Sequence, residues 1–577
     1  MNTKGRPEPL ALESDPRKLI EQAKEIVAMC RISAGKRAAT AQEINTFVET
    51  GRPDGIRSLM NLLYYNENRV ASHIFSPTVL KFTLSAEHEY PKSDLMRMQT
   101  VAKLITKNWA HNNTDILFAE GVTTALRYGN CIFKQWVEAG EADGDPTYAR
   151  SLVMPWQFGV FREDITELHK QPAFVETNML SLPEVWRRIY HFPDAERLLQ
   201  RVRNHAQKDN AGTEAFGFLN QIFSTSTLQT GVSTPYLPKP GGIINMNPSP
   251  NFNLRGPQIG IETVPFHEIW IWDGDDYTTI QYIEPDILIA PRLKPCNLLV
   301  ADSRLHPYSV IRPNSSTNNF WGRSEAEDIM ELQNWISECG QDIKRLSALQ
   351  IDKILGFIGE DGMTDEIYHN MRDSGFFSVA QGGSITDLTP SFPPQIIEIL
   401  DKLMKILDKI TGFDNILDGG GEPGVRSGNH AQTLIKTGSP TLRDRSLLVE
   451  RQCSQAADLT YHLMRAKDAT TYWTNPEKFQ ETSFVLGNLP ADCMVSVDSH
   501  SSSPIFADDH TQLIFACVKS GIVSPKSAIR LLQLPDQDLL MREFDEAAAA
   551  KQAMMEKLEK TDHEAFVKLM QHGGGKK

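Results

Sequence analysis

Apolar residues recur three or four positions apart over long stretches of this chain, which is the spacing of helices that bury one face. The clearest case begins at Ser324, where Glu327 completes a capping-box pattern. A single apolar stripe follows, made of Ile329, Leu332, Ile336, Cys339, Ile343 and Leu346. At a rise of about 1.5 Å per residue, a helix over 324–350 is a rod of roughly 40 Å. One stripe needs one neighbouring surface, so the pattern predicts a helix that packs on one side and meets water on the other.

A second amphipathic helix is predicted within PQIIEILDKLMKILDKITGF. Its predicted buried positions are Ile396, Ile399, Leu400, Leu403, Leu407 and Ile410. Before it lies 382–395, GGSITDLTPSFPPQ, in which three prolines and two glycines forbid a regular helix. A non-helical segment between two long helices is either a projecting loop or an ordinary linker, and the pattern alone leaves both open.

Alternating apolar and polar residues predict β-structure elsewhere. In HEIWIWDGDDYTTIQYIEPDILIAP, Trp270 and Trp272 precede a turn at 273–276, and a second strand begins at Tyr277. Other strands are predicted in CIFKQWVEA, MPWQFGVFRED and SFVLGNLPADCMVSVDS, and other helices over 16–30, 41–65, 93–128, 182–205, 508–569 and after Pro440. Helices combined with small antiparallel sheets predict an α+β fold.

Composition narrows the class of protein. At 577 residues the chain exceeds the size of one hydrophobic core, so several regions or an elongated subunit are expected. The amino-terminal residues are polar and no run of eighteen apolar residues occurs, which predicts a cytosol-like compartment with no membrane span. Seven scattered cysteines predict isolated reduced thiols. The net charge of −14 disfavours a basic face that grips nucleic acid, although it suits an acidic wall past which DNA slides.

No residues in the sequence have the spacing of a catalytic or metal site. An EF-hand register places acids at Asp273, Asp275 and Glu284, but Thr278 stands where that loop needs glycine, so a hairpin turn is the better interpretation. The glycine-rich 417–428 lacks the GK[ST] of a phosphate loop. Histidines form no HxxxH or HExxH, and no serine lies in GxSxG. We therefore expect no enzyme activity, no metal and no cofactor.

The order of these elements resembles the portal protein, or head-to-tail connector, of tailed bacteriophages. The segments that carry the resemblance are NENRVASHIFSPTVLKFTL, TTALRYGNCIFKQW, the HEIWIW hairpin, HPYSVIRPNSSTNNFWGRSEAEDIMELQNW, IIEILDKLMKILDKITGF with the glycine-rich loop after it, and the long helix after Ser439-Pro440. They span roughly residues 60 to 540. No single segment is specific, and their order carries the resemblance.

The resemblance implies a ring, usually of twelve subunits, at one vertex of a virus shell, assembled in the host cytoplasm and kept in the virion. The implied regions are an N-terminal wing at 1–200, a loop-rich 201–254 with room for a first stem helix, a β-rich clip at 255–315, a second stem helix at 320–350, a wing at 351–500 with a tunnel loop at 382–395, and crown helices with a flexible tail at 501–577. The implied partners are other copies of the chain, the terminase large subunit, head-completion or tail-adaptor proteins, major capsid and scaffolding proteins, and double-stranded DNA in the channel; no membrane is implied.

The resemblance also assigns candidate residues. Those of the stem and DNA channel are Glu325, Asp328, Glu331, Lys344 and Arg345; those of the tunnel loop are Ser384, Thr386, Asp387, Thr389, Pro390 and Phe392; those for clip interactions are Trp270, Trp272, Asp275 and Tyr277. In this arrangement the apolar stripe of the 324–350 helix packs against adjacent stem helices, and its acids face the channel or solvent.

Two other functions stay open. Another virion structural protein, such as a tail or minor head protein, would show the same polar helices and β patches. A hydrolase would need a carboxylate pair, for example among Asp273, Asp275 and Asp276, inside a cleft that perturbs their acidity, and the sequence offers only a turn there. Ring stoichiometry and terminase binding distinguish a portal from other virion proteins.

Overall fold

The computed structural model describes residues 9–54, 57–58, 60–77, 80–86, 88, 90–138, 147–209, 263–274, 277–293, 306–351, 354–358, 384–412, 440–467, 471–474, 483–490, 492–497, 514–524, 528, and 543–550 without 545 and 548. These residues belong to two compact units, Met1–Asp498 and Ser499–Lys577. In the second unit residues 514–519 are helical, and most of the predicted crown helices and the HGGGKK tail lie outside the described residues. All labelled elements belong to the first unit.

Within its described residues the first unit contains nine α-helices. They are α1 (Pro16–Thr50), α2 (Leu63–Ile74), α3 (Lys92–His111), α4 (Thr114–Tyr128), α5 (Leu182–Ile189), α6 (Ala195–Asp209), α7 (Glu325–Ile351), α8 (Gln395–Thr411) and α9 (Pro440–Lys467). α1 begins where the Asp15 side chain accepts a hydrogen bond from the Arg17 backbone N–H, and it ends at Gly51, whose φ of 76° closes the helix.

Three helix predictions need correction, and the first is the helix predicted over 182–205, which is divided into α5 and α6 by the non-helical residues 190–194. The separate helices predicted at 16–30 and 41–65 are largely replaced by the single α1, because the intervening SAGKRAAT is rich in residues that favour helix. The long helix predicted over 93–128 is divided into α3 and α4 at Asn113, whose φ of 52° is left-handed. Asparagine tolerates that conformation better than most residues do, so it can end one helix and start the next.

The described strands form five antiparallel sheets. The strands are β1 (Phe82–Ala86), β2 (Cys131–Glu138), β3 (Thr147–Val153), β4 (Phe158–Val160), β5 (Ala173–Ser181), β6 (Thr263–Trp272), β7 (Tyr277–Ile283), β8 (Ile287–Leu293), β9 (Tyr308–Ile311), β10 (Leu355–Ile358), β11 (Ser384–Asp387), β12 (Tyr472–Trp473), β13 (Ser483–Phe484) and β14 (Cys493–Val497). Their orders are β4-β5-β6-β7-β8, β3-β2-β9, β1-β14, β10-β11 and β12-β13. The α+β class and the β6–β7 hairpin are confirmed.

The five-stranded sheet lies between α1 and the three-stranded sheet. Because side chains alternate along a strand, Ile269 of β6 packs against α1 residues such as Val27, while Trp270 faces the opposite layer with Tyr308. α5 and α6 cover another part of the sheet through Val185 and Val202. The main core of the first unit is therefore layered, with aromatic side chains filling the space between the two sheets.

β6 pairs with β5 along most of its length, from Thr263 opposite Ser181 to Ile271 opposite Ala173. β7 and β8 extend the same sheet, and β9 joins β2. The described strands of the 255–315 segment therefore lie in sheets that also contain strands of the N-terminal region, which differs from the predicted separate β-rich clip. The chain between Ser181 and Thr263 leaves the sheet and returns to it at paired positions.

α4 ends and α7 begins where two glycines lie backbone to backbone. A Cβ placed on Gly322 would lie 2.2 Å from the carbonyl oxygen of Gly129, which has a φ of 90°. Ser324 joins the same two helices: its hydroxyl accepts a hydrogen bond from the Glu327 backbone N–H at 3.1 Å and donates one to the carbonyl oxygen of Arg127. The serine half of the predicted capping box is thus present, and it also fixes the start of α7 to the end of α4.

α7 is anchored in the core over its first half and leaves it over the second. Ile329 is buried with residues of α1 and α8, and the last buried residue of the helix is Gly340. From 341 to 351 every side chain is half-buried or exposed. β10 and β11 then form a two-stranded ribbon, and α8 packs back on α7. We call these elements the α7–ribbon–α8 unit.

The burial predicted for α8 is only partly correct. Leu403 and Leu407 are buried, whereas Ile399 and Ile410 are exposed. The apolar face of α8 is wider than the surface that α7 and its neighbours cover. A stripe of isoleucine therefore meets solvent in the single subunit.

Candidate functional site

The acids at the start of α7 lie in three different environments. Glu325 is 2% exposed and accepts a hydrogen bond from Arg445 of α9 at 3.2 Å. Asp328 is half-buried and pairs with Arg323 at 2.6 Å, and Glu331 is exposed. The prediction that these acids face a channel or solvent is wrong for Glu325, because its carboxylate is enclosed between α7 and α9.

The two basic candidates on α7 lie beyond the anchored half of the helix. Lys344 and Arg345 are exposed, past the last buried residue, Gly340. Their side chains are therefore accessible in the single subunit. Weak contact between these two residues and DNA stays a prediction.

Glu325 belongs to a group of charges that four helices enclose. Arg127 of α4 donates two hydrogen bonds, of 2.9 and 2.7 Å, to the carboxylate of Glu67 of α2. Burial raises the pKa of Glu325 to about 7; Arg445 opposes the shift, and the nearby Glu67 adds to it. Burial likewise raises the pKa of Glu49, near Arg127, to about 7. Glu325, in the junction of α2, α4, α7 and α9, and Glu49, at the end of α1, are therefore expected to gain or lose a proton near neutral pH.

We expect Glu325→Gln to weaken the pH dependence of stability. The pKa of Glu325 is about 7 in the folded chain and about 4.3 in the unfolded chain, so the folded state holds the proton more tightly. The resulting stabilisation is complete below about pH 4 and is lost as the pH rises through about 7. Between about pH 5 and pH 8, the free energy of unfolding from urea titrations should fall about 1–3 kcal/mol less in the variant than in the wild type.

The exposed acid Glu331, on the same helix, supplies the control for this prediction. Glu331→Gln should leave the wild-type pH dependence in place. If Glu325→Gln and the wild type lose the same stability over that pH range, the buried carboxyl does not titrate as described.

The predicted non-helical segment 382–395 is non-helical over its described residues 384–394, and α8 begins at its last residue, Gln395. β11 pairs with β10, the Thr389 hydroxyl accepts a hydrogen bond from the Ile354 backbone N–H at 3.0 Å, and the Pro390 carbonyl accepts one from the Gln350 side chain at 2.7 Å. Of the candidates, those exposed are Ser384, Thr386, Asp387 and Pro390, and those half-buried are Thr389 and Phe392. The segment is thus tied to the end of α7, and its role as a tunnel loop stays a prediction.

The aromatic residues predicted to contact partner proteins are core residues. Trp270, Trp272 and Tyr277 are 0%, 4% and 0% exposed, and the Tyr277 hydroxyl donates a hydrogen bond to the Gln171 carbonyl at 3.0 Å. The prediction is wrong for these three, because the side chains fill the space between two sheets of their own chain. The fourth candidate, Asp275, lies outside the described residues.

The β6–β7 turn fits the hairpin interpretation. Strands flank it, and the Asp273 carboxylate accepts a hydrogen bond from the Thr278 hydroxyl at 3.0 Å. Asp276, which the hydrolase alternative invokes, lies outside the described residues, as does the glycine-rich 417–428. Among the residues that the structure describes, no group of three His, Cys, Asp or Glu is arranged to hold a metal. The six described cysteines are free thiols.

A buried ionic network that the sequence did not reveal joins the two main sheets. Lys134 of β2 lies 2.6 Å from Glu176 of β5 and 3.2 Å from Glu268 of β6. The Tyr308 hydroxyl of β9 lies 2.6 Å from the Glu176 carboxylate and 2.9 Å from the Glu268 carboxylate, so its one proton is shared between them, and the Trp270 ring N–H donates to Glu268 at 2.9 Å. Within its own strand, each of Lys134, Glu176 and Glu268 is a single charged residue at an inward-facing position. The sequence does not show that these three positions meet in the fold.

A second polar cluster lies beside an open pocket of about 270 Å³ between α1, α6 and the β7–β8 turn. Glu284 accepts a hydrogen bond from Arg31 at 2.9 Å and lies 2.9 Å from His267 Nε2; His267 Nδ1 lies 3.0 Å from the Thr177 hydroxyl. This order of groups is that of a nucleophile, base and acid, but Thr177 and His267 are buried in the sheet. The cluster therefore holds α1 on the sheet instead of presenting a nucleophile to a substrate.

The exposed isoleucines of α8 form one side of a mixed apolar and basic surface. Ile399, Ile406 and Ile410 expose 48%, 46% and 38% of their surface. At about 100° per residue, Lys402 and Lys409 lie beside this stripe on its solvent side, and both are exposed. We call these five residues the α8 surface.

α7 carries a surface of opposite charge. Trp335 is 53% exposed, which is unusual for the largest aromatic side chain. Glu331, Glu338 and Asp342 lie around it on the same side of the helix, and all three are exposed. We call these four residues the α7 surface. The sequence showed its acids but not that the apolar stripe of α7 leaves Trp335 in solvent.

None of the helices in the described ranges combines the length and apolarity needed to cross a lipid bilayer. No family model matches the sequence, and no curated protein matches it. Among solved structures, the chain is similar to one from the virion of a native gene transfer agent particle, with 12% identity, a TM-score of 0.38, and coverage of 86% of this chain and 93% of that one. It is also similar to a chain in the neck of a native gene transfer agent particle computed with C12 symmetry, with 12% identity, a TM-score of 0.35, and coverage of 92% and 96%. Function must therefore be inferred from the residues of this chain.

Proposed function

We propose that this chain is a structural protein of a phage-like virion and, within that class, the portal subunit: one copy in a ring through which DNA is packaged and released. Its role is structural, without enzyme activity or a cofactor. The α7–ribbon–α8 unit carries the proposal. One end of α7 is fixed in the core by Ser324 and its neighbours, and the rest of the unit exposes apolar side chains that a single chain leaves uncovered.

Exposed isoleucines at helical spacing favour assembly. Fully burying such a side chain is worth about 1.5–3 kcal/mol, so Ile399, Ile406 and Ile410 together supply a sizeable driving force for association. Other copies of the same chain are always present at assembly and offer a matched surface. A contact between two different surfaces of identical copies generates a ring when the rotation closes.

The charge of the chain suits a DNA channel. Each copy carries −14, so a ring of copies is strongly acidic and repels the phosphate backbone from its wall. DNA then passes without adhering, because a wall with a net negative charge does not neutralise many phosphates at once. Lys344 and Arg345 of α7 supply isolated positive charges for weak contacts.

The proposed role also sets the location and the partners. The ring occupies one vertex of the shell, after assembly in the host cytoplasm. During packaging it binds the terminase large subunit, and afterwards head-completion or tail-adaptor proteins. Major capsid and scaffolding proteins surround it.

We expect the purified chain to form rings with a mass near twelve times 64.8 kDa, or neighbouring ring sizes. Mass photometry and negative-stain images over a range of salt concentrations measure this directly, and pull-down with the terminase large subunit tests the packaging role. Monomers at every salt concentration would overturn the proposal. Rings that fail to bind terminase would indicate another virion structural protein, such as a tail or minor head component.

A further inference from the structure

The α8 surface and the α7 surface of one subunit have complementary side chains. The α8 surface combines three exposed isoleucines with Lys402 and Lys409. The α7 surface combines the exposed ring of Trp335 with an acidic row. Each is apolar at its centre and charged at its border, and the border charges are opposite.

The two surfaces also match in spacing. Lys402 and Lys409 are seven residues apart on α8, as are Glu331 and Glu338 on α7. Seven residues are two turns of helix, so each pair is separated by roughly 10.5 Å along its axis. Two lysines of one helix can therefore reach two glutamates of another at the same time when the helices lie side by side.

We propose that the α8 surface of one copy docks on the α7 surface of the next copy, with Lys402 and Lys409 beside Glu331 and Glu338 and the isoleucines packed around Trp335. This rests on the proposed function and names the part of the chain that forms the subunit contact. The two surfaces differ, so the contact runs head to tail and leaves one surface of each kind free at every step until a ring closes.

The roles of the two kinds of side chain differ. Tryptophan packed into an aliphatic surface is a common source of binding energy at the centre of an interface. Charged pairs at the rim contribute less affinity, but they set register and exclude wrong partners, because like charges placed together are costly. Reversing rim charges therefore tests the pairing without removing the apolar centre.

Two variants with reversed charge provide the test. One carries Lys402→Glu and Lys409→Glu, so that both of its surfaces are acidic; the other carries Glu331→Lys and Glu338→Lys, so that both are basic. In either variant alone every contact apposes like charges, and we expect the ring fraction at a fixed concentration to fall at least about tenfold. In a one-to-one mixture every contact joins opposite charges, so rings reform with the two variants alternating.

Native mass spectrometry with one variant mass-labelled measures both ring formation and composition. The matched controls are Lys103→Glu on α3 and Glu120→Lys on α4, which reverse exposed charges away from both surfaces and should leave rings unchanged. Thermal melting of each variant tests whether that variant remains folded. Rings from the mixture with equal numbers of the two variants support the proposal.

Three outcomes separate this inference from the proposed function. If the wild type forms no rings, the portal proposal fails and takes the docking proposal with it. If the wild type forms rings and both variants alone form them equally well, the docking proposal fails while the portal proposal stands. If neither variant assembles alone and the mixture does not either, the pairing of these two surfaces is wrong.

Discussion

Replacing Gly322 with alanine is expected to leave the chain unable to fold stably. The new Cβ would lie 2.2 Å from the carbonyl oxygen of Gly129, next to the end of α4, and 2.7 Å from that of Asn314, which accepts a hydrogen bond from the Arg323 backbone N–H just before α7. We expect a loss of at least about 4 kcal/mol, a large part of the ~5–15 kcal/mol that stabilises an ordinary domain. Soluble yield, limited proteolysis and melting temperature measure the effect.

The control for Gly322→Ala is a second glycine-to-alanine change, which is expected to raise the stability of the protein instead of lowering it. Gly35 lies within α1, and a Cβ added there has nothing within 4 Å. Gly35→Ala should therefore stabilise the protein by about 0.5–1 kcal/mol, because alanine favours helix and glycine does not. A Gly322→Ala protein that melts at the temperature of the wild type would show that the two helix ends are not packed backbone to backbone.

Lys134→Met is expected to have the second-largest effect. Burial alone would lower the pKa of Lys134, but Glu176 and Glu268 raise it above its ordinary value, so the side chain is charged between two sheets. Methionine keeps the length and loses the charge, which leaves two buried carboxylates without their cation. Breaking a buried ion pair in this way costs about 3–5 kcal/mol. Guanidinium unfolding at neutral pH measures it, with the exposed Lys103→Met as the matched control.

The pH dependence of the stability of Lys134→Met distinguishes the effect of the lost charge from the effect of lost packing. In the wild type, burial would raise the pKa of Glu268, but Lys134 and hydrogen bonds from Trp270 and Tyr308 hold it below its ordinary value. Without Lys134 the desolvated Glu268 carboxylate binds a proton more readily in the folded state, so the deficit of the variant should shrink as the pH falls. An equal deficit at acidic and neutral pH would point to packing alone.

The sequence predicted an element correctly where residues within a few positions of each other determine its start or its turn. The hairpin around Trp270 and Tyr277 and the start of α7 after Ser324 are set by turn residues and by a cap within a few positions. The break between α3 and α4 was not predicted. Asn113 separates the two helices because its backbone is left-handed, and many asparagines do not adopt that conformation.

The sequence did not distinguish apolar residues that pack inside their own chain from apolar residues that remain exposed on its surface. Trp270 and Tyr277 were expected at a contact with partners and lie in the core, whereas Ile399 and Ile410 were expected in the core and lie in solvent. A strand or helix pattern shows which side chains share a face. Which faces the fold covers depends on pairings such as β6 with β5, between residues far apart in the sequence.

The pairing of Ser181 with Thr263 has a consequence for how such a chain can vary. α5 and α6 follow Ser181 and pack on the sheet, so a change in chain length between Asp209 and Thr263 is the one that leaves both these helices and the register of β5 with β6 in place. Evolution can thus vary the number of residues at this point without rebuilding the five-stranded sheet.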